Sequence, residues 1–426
     1  MRSILTLGIM AIGAASVIAS DWPAYRGPAS DGTSPESVPG IISAAPKRLW
    51  RIDTPQGFSS FVVSGDKAFT VVIRDHEGVP SETCIAVDVA SGKELWAATT
   101  GVGKYDQGGN SGAEDNKGGD GPRSTPAVKE GRVFVYSSSL ALQCLDSATG
   151  KPVWKKDIIR EFGGSNIKWQ SAMSPVLDGN LVFVAGGGSG QSMLAFDQGT
   201  GAVAWKSGDE KMTHATPTIA TIHGVRQIIF FMQSGLVSLN AQTGEGLWRY
   251  PFPYKTSTAL SPVVGGDMVF CSAGYDVGSG ACEVSKSGDK FAAKEIWRVH
   301  GNKDLVSQWS TPVFKDGYLY GMFSAKKFAN GPVKCVELKT GQVKWEKEGF
   351  GVGNMILAGN RLIALGDDGQ VVVIQPEPSS YKEVGRFKGV AGKCWSSPAL
   401  SNGRLFVRST REGACFDMRS NSLSVR

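Results

Sequence analysis

One eleven-residue motif recurs through this chain and constrains its fold more than any other feature. The second copy, Cys144-Leu-Asp-Ser-Ala-Thr-Gly-Lys-Pro-Val-Trp154, shows a small residue, an acidic residue, a Thr-Gly pair and a closing aromatic residue. The closing aromatic residue occurs at eight positions, spaced 42 to 58 residues apart: Trp50, Trp96, Trp154, Trp205, Trp248, Trp297, Trp345 and Phe387. The copy ending at Trp297 is degenerate, and Trp50 has no motif before it.

A second element falls between the closing aromatic residues. It is a Ser/Thr-Pro pair, present six times: Thr125-Pro126, Ser174-Pro175, Thr216-Pro217, Ser261-Pro262, Thr311-Pro312 and Ser397-Pro398. Ser60-Phe61 and Asn354-Met355 fill the two remaining positions, which makes eight copies again. Proline is tolerated at the start of a strand, where its missing N–H is not needed.

Each unit divides into four short β-strands. In the second unit the turn residues predict strands at 127–128, 132–136, 140–146 and 152–155. The glycine of Thr-Gly suits a left-handed turn position, and the acidic side chain can accept backbone N–H groups of that turn. The tryptophan is large enough to pack between adjacent sheets. Four strands at this period predict an all-β fold, an eight-bladed β-propeller.

The ends of the repeat predict how the ring closes. Trp50 precedes the first full unit, whereas the last unit stops at Cys415-Phe-Asp417 without a tryptophan strand. We expect the N-terminal strand to complete the C-terminal blade and so remove two exposed edges. Two separate β-sandwiches would need a linker-like boundary, and the repeat runs without one.

These motifs resemble a known group of repeats. The A-x-D-x-x-T-G-x-x-x-W pattern, over residues 48–417, resembles the tryptophan-docking motif of propeller repeats that are like those of pyrroloquinoline-quinone (PQQ) proteins. The segment Asp21-Trp-Pro-Ala-Tyr-Arg-Gly-Pro28 resembles the W-P-x-x-R-G-P opening of exported bacterial propellers in this group. The superfamily includes quinoprotein alcohol dehydrogenases and the outer-membrane assembly scaffold of the BamB type. The resemblance therefore implies the fold and leaves the function open.

Several features separate the chain from those two groups. Quinoprotein dehydrogenases are usually longer, carry a disulfide between adjacent cysteines and often have a c-type haem segment, whereas this chain has no Cys-Cys pair and no CxxCH. The scaffold reading fits the length, although the chain lacks a lipobox cysteine and has a longer N-terminal lead. None of the dehydrogenases' calcium ligands or catalytic residues can be placed on a matching motif here.

The N-terminus predicts export. A short basic start, an apolar run of about fifteen residues and small residues before Asp21 are typical of a cleaved signal peptide over residues 1–20. The run is shorter than the roughly 20 residues that a spanning helix needs, and we expect no transmembrane segment elsewhere. The expected domains are this signal, a lead at 21–47 and the propeller at 48–426. The protein is then periplasmic or secreted.

Seven cysteines in an exported chain raise the question of disulfides. Four of them are assigned to the small-residue position of the motif, which Ala86 and Ala195 fill in other copies: Cys144, Cys282, Cys335 and Cys415. We therefore expect buried free thiols. The best candidate for a disulfide is Cys271 with Cys282, which a hairpin could place opposite each other.

The variable loops predict where a site would lie. In a propeller the loops between strands two and three share a face with those that connect successive blades, and here that face carries most of the length variation, whereas the Thr-Gly turns opposite stay short. Counting three residues back from each proline position gives a predicted ring at the channel mouth: Phe58, Arg123, Ala172, His214, Ala259, Trp309, Val352 and Trp395, with Trp169 close by.

The candidate binding residues in this ring are Arg123, Trp169, His214, Trp309 and Trp395. Arginine and aromatic side chains suit an aromatic, anionic or quinone-like ligand. The alternative is that the aromatic residues only plug the funnel. No metal site is predicted, because no two histidines have ligand spacing and the acidic, glycine-rich insert at 101–123 lacks the order of a calcium loop. We expect that insert to be a surface loop.

Two function classes remain. The leading prediction is an exported, non-catalytic propeller, expected to be a monomer, that binds envelope or other exported proteins or a small ligand and needs no cofactor. The alternative is a quinoprotein-type oxidoreductase with PQQ and calcium. Nucleic acid is not an expected partner, because the net charge of +6 is small and dispersed.

Overall fold

The chain folds into a ring of eight β-sheets. The structure, a computed structural model, describes residues 20–38, 45–103, 105, 121–323 and 330–419. The predicted signal peptide and most of the 101–123 insert lie outside the described residues. Two strands precede the first blade: β1 (Thr33–Ser34) and β2 (Lys47–Asp53).

The first four blades follow in chain order, each with four antiparallel strands. Blade 1 holds β3 (Val62–Ser64), β4 (Lys67–His76), β5 (Val79–Asp88) and β6 (Glu94–Val102). Blade 2 holds β7 (Ala127–Lys129), β8 (Arg132–Tyr136), β9 (Ala141–Asp146) and β10 (Pro152–Asp157), and α1 (Ile158–Phe162) follows it. Blade 3 holds β11 (Val176–Asp178), β12 (Leu181–Ala185), β13 (Met193–Asp197) and β14 (Val203–Ser207). Blade 4 holds β15 (Thr218–Ile222), β16 (Val225–Met232), β17 (Gly235–Asn240) and β18 (Gly246–Pro251).

The second half repeats this order. Blade 5 holds β19 (Val263–Gly265), β20 (Met268–Ala273), β21 (Gly278–Ser287) and β22 (Lys290–His300). Blade 6 holds β23 (Val313–Lys315), β24 (Tyr318–Met322), β25 (Val333–Glu337) and β26 (Val343–Lys347). Blade 7 holds β27 (Asn354–Ala358), β28 (Arg361–Leu365), β29 (Gln370–Gln375) and β30 (Lys382–Lys388), and blade 8 holds β31 (Ala399–Ser401), β32 (Arg404–Arg408) and β33 (Glu412–Asp417). The predicted eight-bladed propeller is confirmed, and the strands predicted for the second unit are correct to within two residues.

The docking tryptophans join each blade to the next. The indole Nε1 of Trp154 in blade 2 donates to the backbone oxygen of Gln198 in blade 3, at 3.0 Å. Equivalent bonds to the next blade start from five other tryptophans: Trp50, Trp96, Trp205, Trp297 and Trp345. Trp248 instead donates to Gln227 of its own blade, and Phe387 has no N–H to donate.

The Thr-Gly turn is the surface on which the neighbouring tryptophan packs. Gly201 has φ +71°, and a Cβ atom placed there would lie 2.7 Å from the Trp154 ring. Glycine is therefore required twice, for the left-handed backbone and for the close approach of the ring. In blade 2, Asp146 Oδ1 accepts from the backbone N–H and the hydroxyl of Thr149, at 2.8 and 2.7 Å. These bonds hold the pKa of Asp146 below its usual value, with the Thr149 hydroxyl as the largest cause.

The Ser/Thr-Pro pairs form a second ring of contacts that the sequence did not predict. The backbone N–H of one such residue donates to the hydroxyl of its counterpart in the next blade, at 2.8 to 3.1 Å. The donor–acceptor pairs are Ser60–Thr125, Thr125–Ser174, Ser174–Thr216, Ser261–Thr311 and Ser397–Ser60. The hydroxyls at this position thus link five of the eight pairs of neighbouring blades around the channel.

Blade 5 departs from the predicted pattern. Trp297 pairs in register with Ala281, so Ala281 fills the small-residue position, and the assignment of Cys282 to it is wrong. β21 and β22 also run on past that position to a two-residue turn between Ser287 and Lys290, so the hairpin is longer than in the other blades. The longer hairpin replaces the Thr-Gly turn on which Trp248 would dock.

The cysteines are free and buried. Cys271 pairs with Gly280 and Cys282 with Val269, so the two are offset by two residues and the predicted hairpin opposition is wrong. Burial raises the pKa of the Cys282 thiol to about 12. The expectation of buried thiols is met in all seven positions.

The N-terminal strand closes the ring as predicted. β2 pairs antiparallel with β33, and Trp50 lies opposite Cys415 in the same register as the docking tryptophans of other blades. Apolar side chains between neighbouring sheets form the core, in six clusters of buried residues, the first of which joins blades 7, 8 and 1. Within the described residues, no helix has the length and apolar character to cross a bilayer.

The lead segment closes one end of the channel. Trp22 is 1% exposed and forms a β-bridge with Val63 in blade 1. Arg26 is buried across the channel, where it donates to the backbone oxygens of Thr311 and Pro312 in blade 6, both at 2.8 Å. β1 then adds a parallel strand to β27 of blade 7. The lead therefore crosses the channel beside the inner strands of blades 1 and 7, with Arg26 reaching the residues just before β23.

The paired roles of the turn glycine give a direct test. Gly201→Ala should destabilise the fold by at least about 2 kcal/mol more than Gly179→Ala, because only the first forces the Trp154 ring away. Gly179, in the same blade, has φ +54° and open space around its Cβ position, so it carries the backbone strain of about 1 kcal/mol alone. Urea unfolding of both variants measures the difference; equal losses would contradict the docking role of the turn.

Ring closure is tested by two shortened chains. A chain that begins at Thr54 lacks β2, exposes the edge of β33 and should aggregate. A chain that begins at Ala45 lacks the lead but keeps β2, and it should remain a soluble monomer. Size-exclusion chromatography and thermal melting measure both, and a stable monomer from Thr54 onward would contradict closure by β2.

Candidate functional site

A cavity of about 340 Å³ opens at the end of the channel where the inner strands begin. Each inner strand begins just after its Ser/Thr-Pro pair, so residues at one offset from that pair reach the same rim. Seven of the eight ring positions predicted from this offset line the cavity: Phe58, Arg123, Ala172, His214, Ala259, Trp309 and Trp395. Trp169 also lines it. The five candidate residues therefore lie in one cavity, although they come from separate blades and loops.

Val352 is the one ring position that does not line the cavity. It is 1% exposed, and its backbone oxygen accepts the Trp309 indole N–H at 3.0 Å. Blade 7 has no Ser/Thr-Pro pair, and Asn354 in that position lines the cavity instead. Blade 1 also lacks the proline, yet Phe58 lines the cavity, so the offset fails at blade 7 alone.

One wall of the cavity is a stack of aromatic rings. Trp395 lies between Phe58 and Trp309, with ring centroids 4.6 and 4.4 Å away. The buried Lys393 ammonium is 4.9 Å from the Trp395 ring centroid, within range for a cation–π contact. The stack fixes the wall, because each ring packs on the next.

The opposite wall combines Trp169 with Tyr275 and His214. The Trp169 and Tyr275 rings are stacked with centroids 6.0 Å apart, and the His214 ring is 6.3 Å from Trp169. The sequence did not identify Tyr275, because it does not stand at the common offset from a Ser/Thr-Pro pair. It lies in the short connection between β20 and β21.

His214 is held by both of its ring nitrogens. Nε2 lies 2.9 Å from the backbone oxygen of Lys168 and must donate to it, so Nδ1 accepts the hydroxyl of Ser257 at 2.9 Å. Burial, with a smaller effect of the Arg123 charge, lowers the pKa of His214 to about 4. The imidazole is therefore neutral near pH 7, and its low pKa makes Nδ1 a weak base toward the Ser257 hydroxyl.

Arg123 supplies the positive charge of the cavity. Its Nη1 donates to the backbone oxygen of Trp169 at 2.5 Å, and its guanidinium is 5.6 Å from the Tyr105 ring centroid. Behind Tyr105 lies Glu82, which accepts the Tyr105 hydroxyl and the Ser138 backbone N–H. Burial raises the pKa of Glu82, while its hydrogen bonds and the Arg123 charge act in the opposite direction.

The floor of the cavity comes from the lead segment. Tyr25 lines the cavity, next to Arg26, which anchors the lead across the channel. Both residues belong to the W-P-x-x-R-G-P motif, whose position in the fold the sequence does not reveal. The motif's resemblance to the opening of related propellers was the signal that could have directed attention to this segment.

The residues of the cavity do not fit a quinone cofactor that depends on calcium. Calcium takes oxygen ligands, carboxylates above all, and none of the described lining residues is Asp or Glu. Across the described ranges, no group of three or more His, Cys, Asp or Glu residues is arranged to hold a metal ion. The acidic residues of the insert lie outside the described residues.

Comparison with known proteins points to one family. The sequence profile of outer membrane protein assembly factor BamB matches residues 80–347. BamB of Shewanella oneidensis is 25% identical over 58% of this chain and 62% of its own length. BamB of Yersinia pestis is 23% identical over 66% of this chain and 70% of its own length. The chain thus spans less than two thirds of the Shewanella relative.

Solved structures share the fold at low identity. BamB from Moraxella catarrhalis superposes with a TM-score of 0.60 at 15% identity, covering 90% of this chain and all of the other. Quinohemoprotein alcohol dehydrogenase from Comamonas testosteroni gives a TM-score of 0.63 at 14% identity, covering 93% and 80%. At these identities the likeness concerns the fold alone.

The buried state of His214 predicts a pH dependence of stability. The folded protein takes up this proton near pH 4 and the unfolded chain near pH 6.5, so stability is complete above about pH 7 and falls as the pH drops through this window. The loss should reach roughly 2–3 kcal/mol at pH 4. Urea unfolding of the wild type and of His214→Gln from pH 7.5 to 4 measures it. His76→Gln, at an exposed position, is the control; parallel curves for wild type and H214Q would contradict the assignment.

Proposed function

The chain belongs to the family of outer membrane protein assembly factor BamB, and we propose that it is an exported, non-catalytic propeller that binds other proteins of the cell envelope. The observation that carries this proposal is the family match, which extends from blade 1 to blade 6. The named relatives are assembly factors for the outer membrane. A role in the same process is the function we assign to this chain.

The chemistry of the cavity supports binding more than catalysis. Both nitrogens of His214 are engaged, the lining contains no Asp or Glu, and the cysteines lie buried outside it. Ser257 and His214 are a hydroxyl–imidazole pair within hydrogen-bond reach, but burial lowers the pKa of His214 to about 4 and makes it a weak base. A backbone oxygen, not a carboxylate, holds its other nitrogen. The aromatic walls and Arg123 are groups that recognise a ligand.

The loop-bearing face is the surface that we propose for partners. It carries the cavity mouth, helix α1 and the loop segments around Trp169 and Trp309. The turn face opposite is occupied by the docking contacts between blades and by the lead. Variable loops on a rigid ring are the usual place for binding in such scaffolds. The proposed location, in the periplasm or outside the cell, rests on the signal peptide prediction.

The proposal is tested by isolating partners from the envelope. The tagged mature chain, purified from detergent-solubilised envelope, should retain proteins of the outer-membrane assembly machinery, identified by mass spectrometry. Trp309→Ala together with Trp395→Ala should reduce that capture by about 10-fold, with a small change in melting temperature. Lys339→Ala, on the turn face, should leave it unchanged.

Two outcomes would contradict the proposal. One is full capture by the double variant and loss of capture by Lys339→Ala, which would place the partner on the turn face. The other is oxidation of alcohols in the presence of PQQ, calcium and an electron-accepting dye, abolished by Arg123→Gln. That result would favour the quinoprotein alternative.

A further inference from the structure

The cavity is rich in hydrogen-bond donors, and the Ser/Thr ring explains part of this. Ser60, Ser174 and Thr216 line the cavity, and each hydroxyl oxygen already accepts a backbone N–H from a neighbouring blade, at 2.8 to 2.9 Å. In the described part of the chain these three O–H groups have no acceptor. An oxygen that is held as an acceptor leaves its proton to be donated elsewhere. The ring therefore presents hydroxyl protons at the base of the cavity.

Further donors line the same space. The Tyr25 hydroxyl and the Trp169 indole N–H have no acceptor among the described residues, and both side chains line the cavity. The Trp395 Nε1 is buried, and it too has no partner there. Arg123 adds a permanent positive charge. Among the described lining residues, donors without an acceptor thus outnumber acceptors without a donor. The clearest acceptor without a donor is the Asn354 side-chain oxygen.

No acidic side chain balances these donors at the surface of the cavity. The described lining has one Arg, no Asp and no Glu, and its His214 is neutral near pH 7. The Arg123 guanidinium would repel a cationic ligand. A carboxylate would accept hydrogen bonds from groups that otherwise lack acceptors, and bonds to a charged acceptor are the stronger kind.

The aromatic side chains that line the cavity determine which apolar group of a ligand can pack there. The stack of Phe58, Trp395 and Trp309 presents flat ring surfaces on one side, and the stacked Trp169 and Tyr275 face it from the other. A flat or ring-shaped group packs on such surfaces with a large apolar contact. The volume of about 340 Å³ lies at the small end of the range for ligand sites.

We propose that the cavity binds a small organic acid. Its carboxylate is attached to a flat six-membered ring, to a flat fused system of nine ring atoms, or to a sugar ring. The carboxylate lies toward Arg123 and the hydroxyl ring, and the body lies against the Trp395 wall. The inference rests on the proposed function, because it takes this cavity as a binding site. Aromatic acids and sugar acids share the chemistry, and the test separates them.

The test uses calorimetry on the purified mature chain with two acids and their neutral counterparts. The probes are indole-3-acetate against indole-3-acetamide, and glucuronate against glucose. At least one acid should bind at least about 10-fold more tightly than its neutral counterpart, since a charged hydrogen bond contributes more than a neutral one. The acid that binds identifies the ring type. Tryptophan fluorescence should change with the same affinity.

Arg123→Gln should weaken binding of the acid by about 10-fold or more and leave the affinity for the neutral counterpart unchanged. Arg160→Gln is the matched control, because Arg160 is an exposed residue of α1 on the same face and its replacement removes the same charge. Tyr25→Phe removes one donor with little change in shape, and it should weaken the acid several-fold. This second variant keeps the test valid should Arg123→Gln fail to fold.

Three results would overturn the inference: equal affinity for acid and neutral probe, an Arg123→Gln affinity equal to that of Arg160→Gln, or no binding of either acid at millimolar concentration. Each can occur while the envelope proteins are still captured, and the proposed function then stands without the ligand. Loss of protein capture while the acids still bind would instead contradict the scaffold function and leave the cavity as a small-molecule site.

Discussion

The whole ring depends on the contact between a tryptophan of one blade and the turn of the next. The indole packs where glycine leaves room, and its N–H donates to a backbone oxygen of the same turn. Each contact is local to two blades, and the indole hydrogen bond to the next blade is made at six of the eight positions. The repeated hydrogen bonds of the Ser/Thr-Pro pairs hold the inner side in the same way. Together these two sets of contacts hold neighbouring blades to each other on the outer and on the inner side of the ring.

That repetition is why so much of the molecule could be predicted from the sequence. The Trp spacing gave the blade number, the unpaired Trp50 gave the closing strand, and one offset placed Arg123, His214, Trp309 and Trp395 on one rim. Because each position of the motif has a physical role, the motif predicts which residues lie opposite each other in a sheet as well as the fold. Where the motif decays, as before Trp297, the assignment of Cys282 was wrong by one residue.

The unpredicted parts depend on contacts that no repeat encodes. Tyr25 reaches the cavity because Arg26 bonds to backbone oxygens almost 290 residues further along the chain. Tyr275 stacks on Trp169 from the β20–β21 connection of blade 5, a contact between residues more than 100 positions apart in the sequence. The functional assignment has the same limit, since a propeller is shared by enzymes and scaffolds. Here the family match and the donor-rich, carboxylate-free cavity carry the proposals.

Closure by β2 also sets the order in which the molecule can be completed. Trp50 pairs with Cys415, so the eighth sheet joins residues from the two ends of the chain, and the lead contacts blades 1, 6 and 7. Seven blades can form from consecutive segments as they become available, but the last cannot form until the final strand is present. If such a chain crosses a membrane from its N-terminus, β2 thus stays unpaired until β33 has also crossed. Contacts between such distant residues are slow to form, and until then both open edges need protection from other strands.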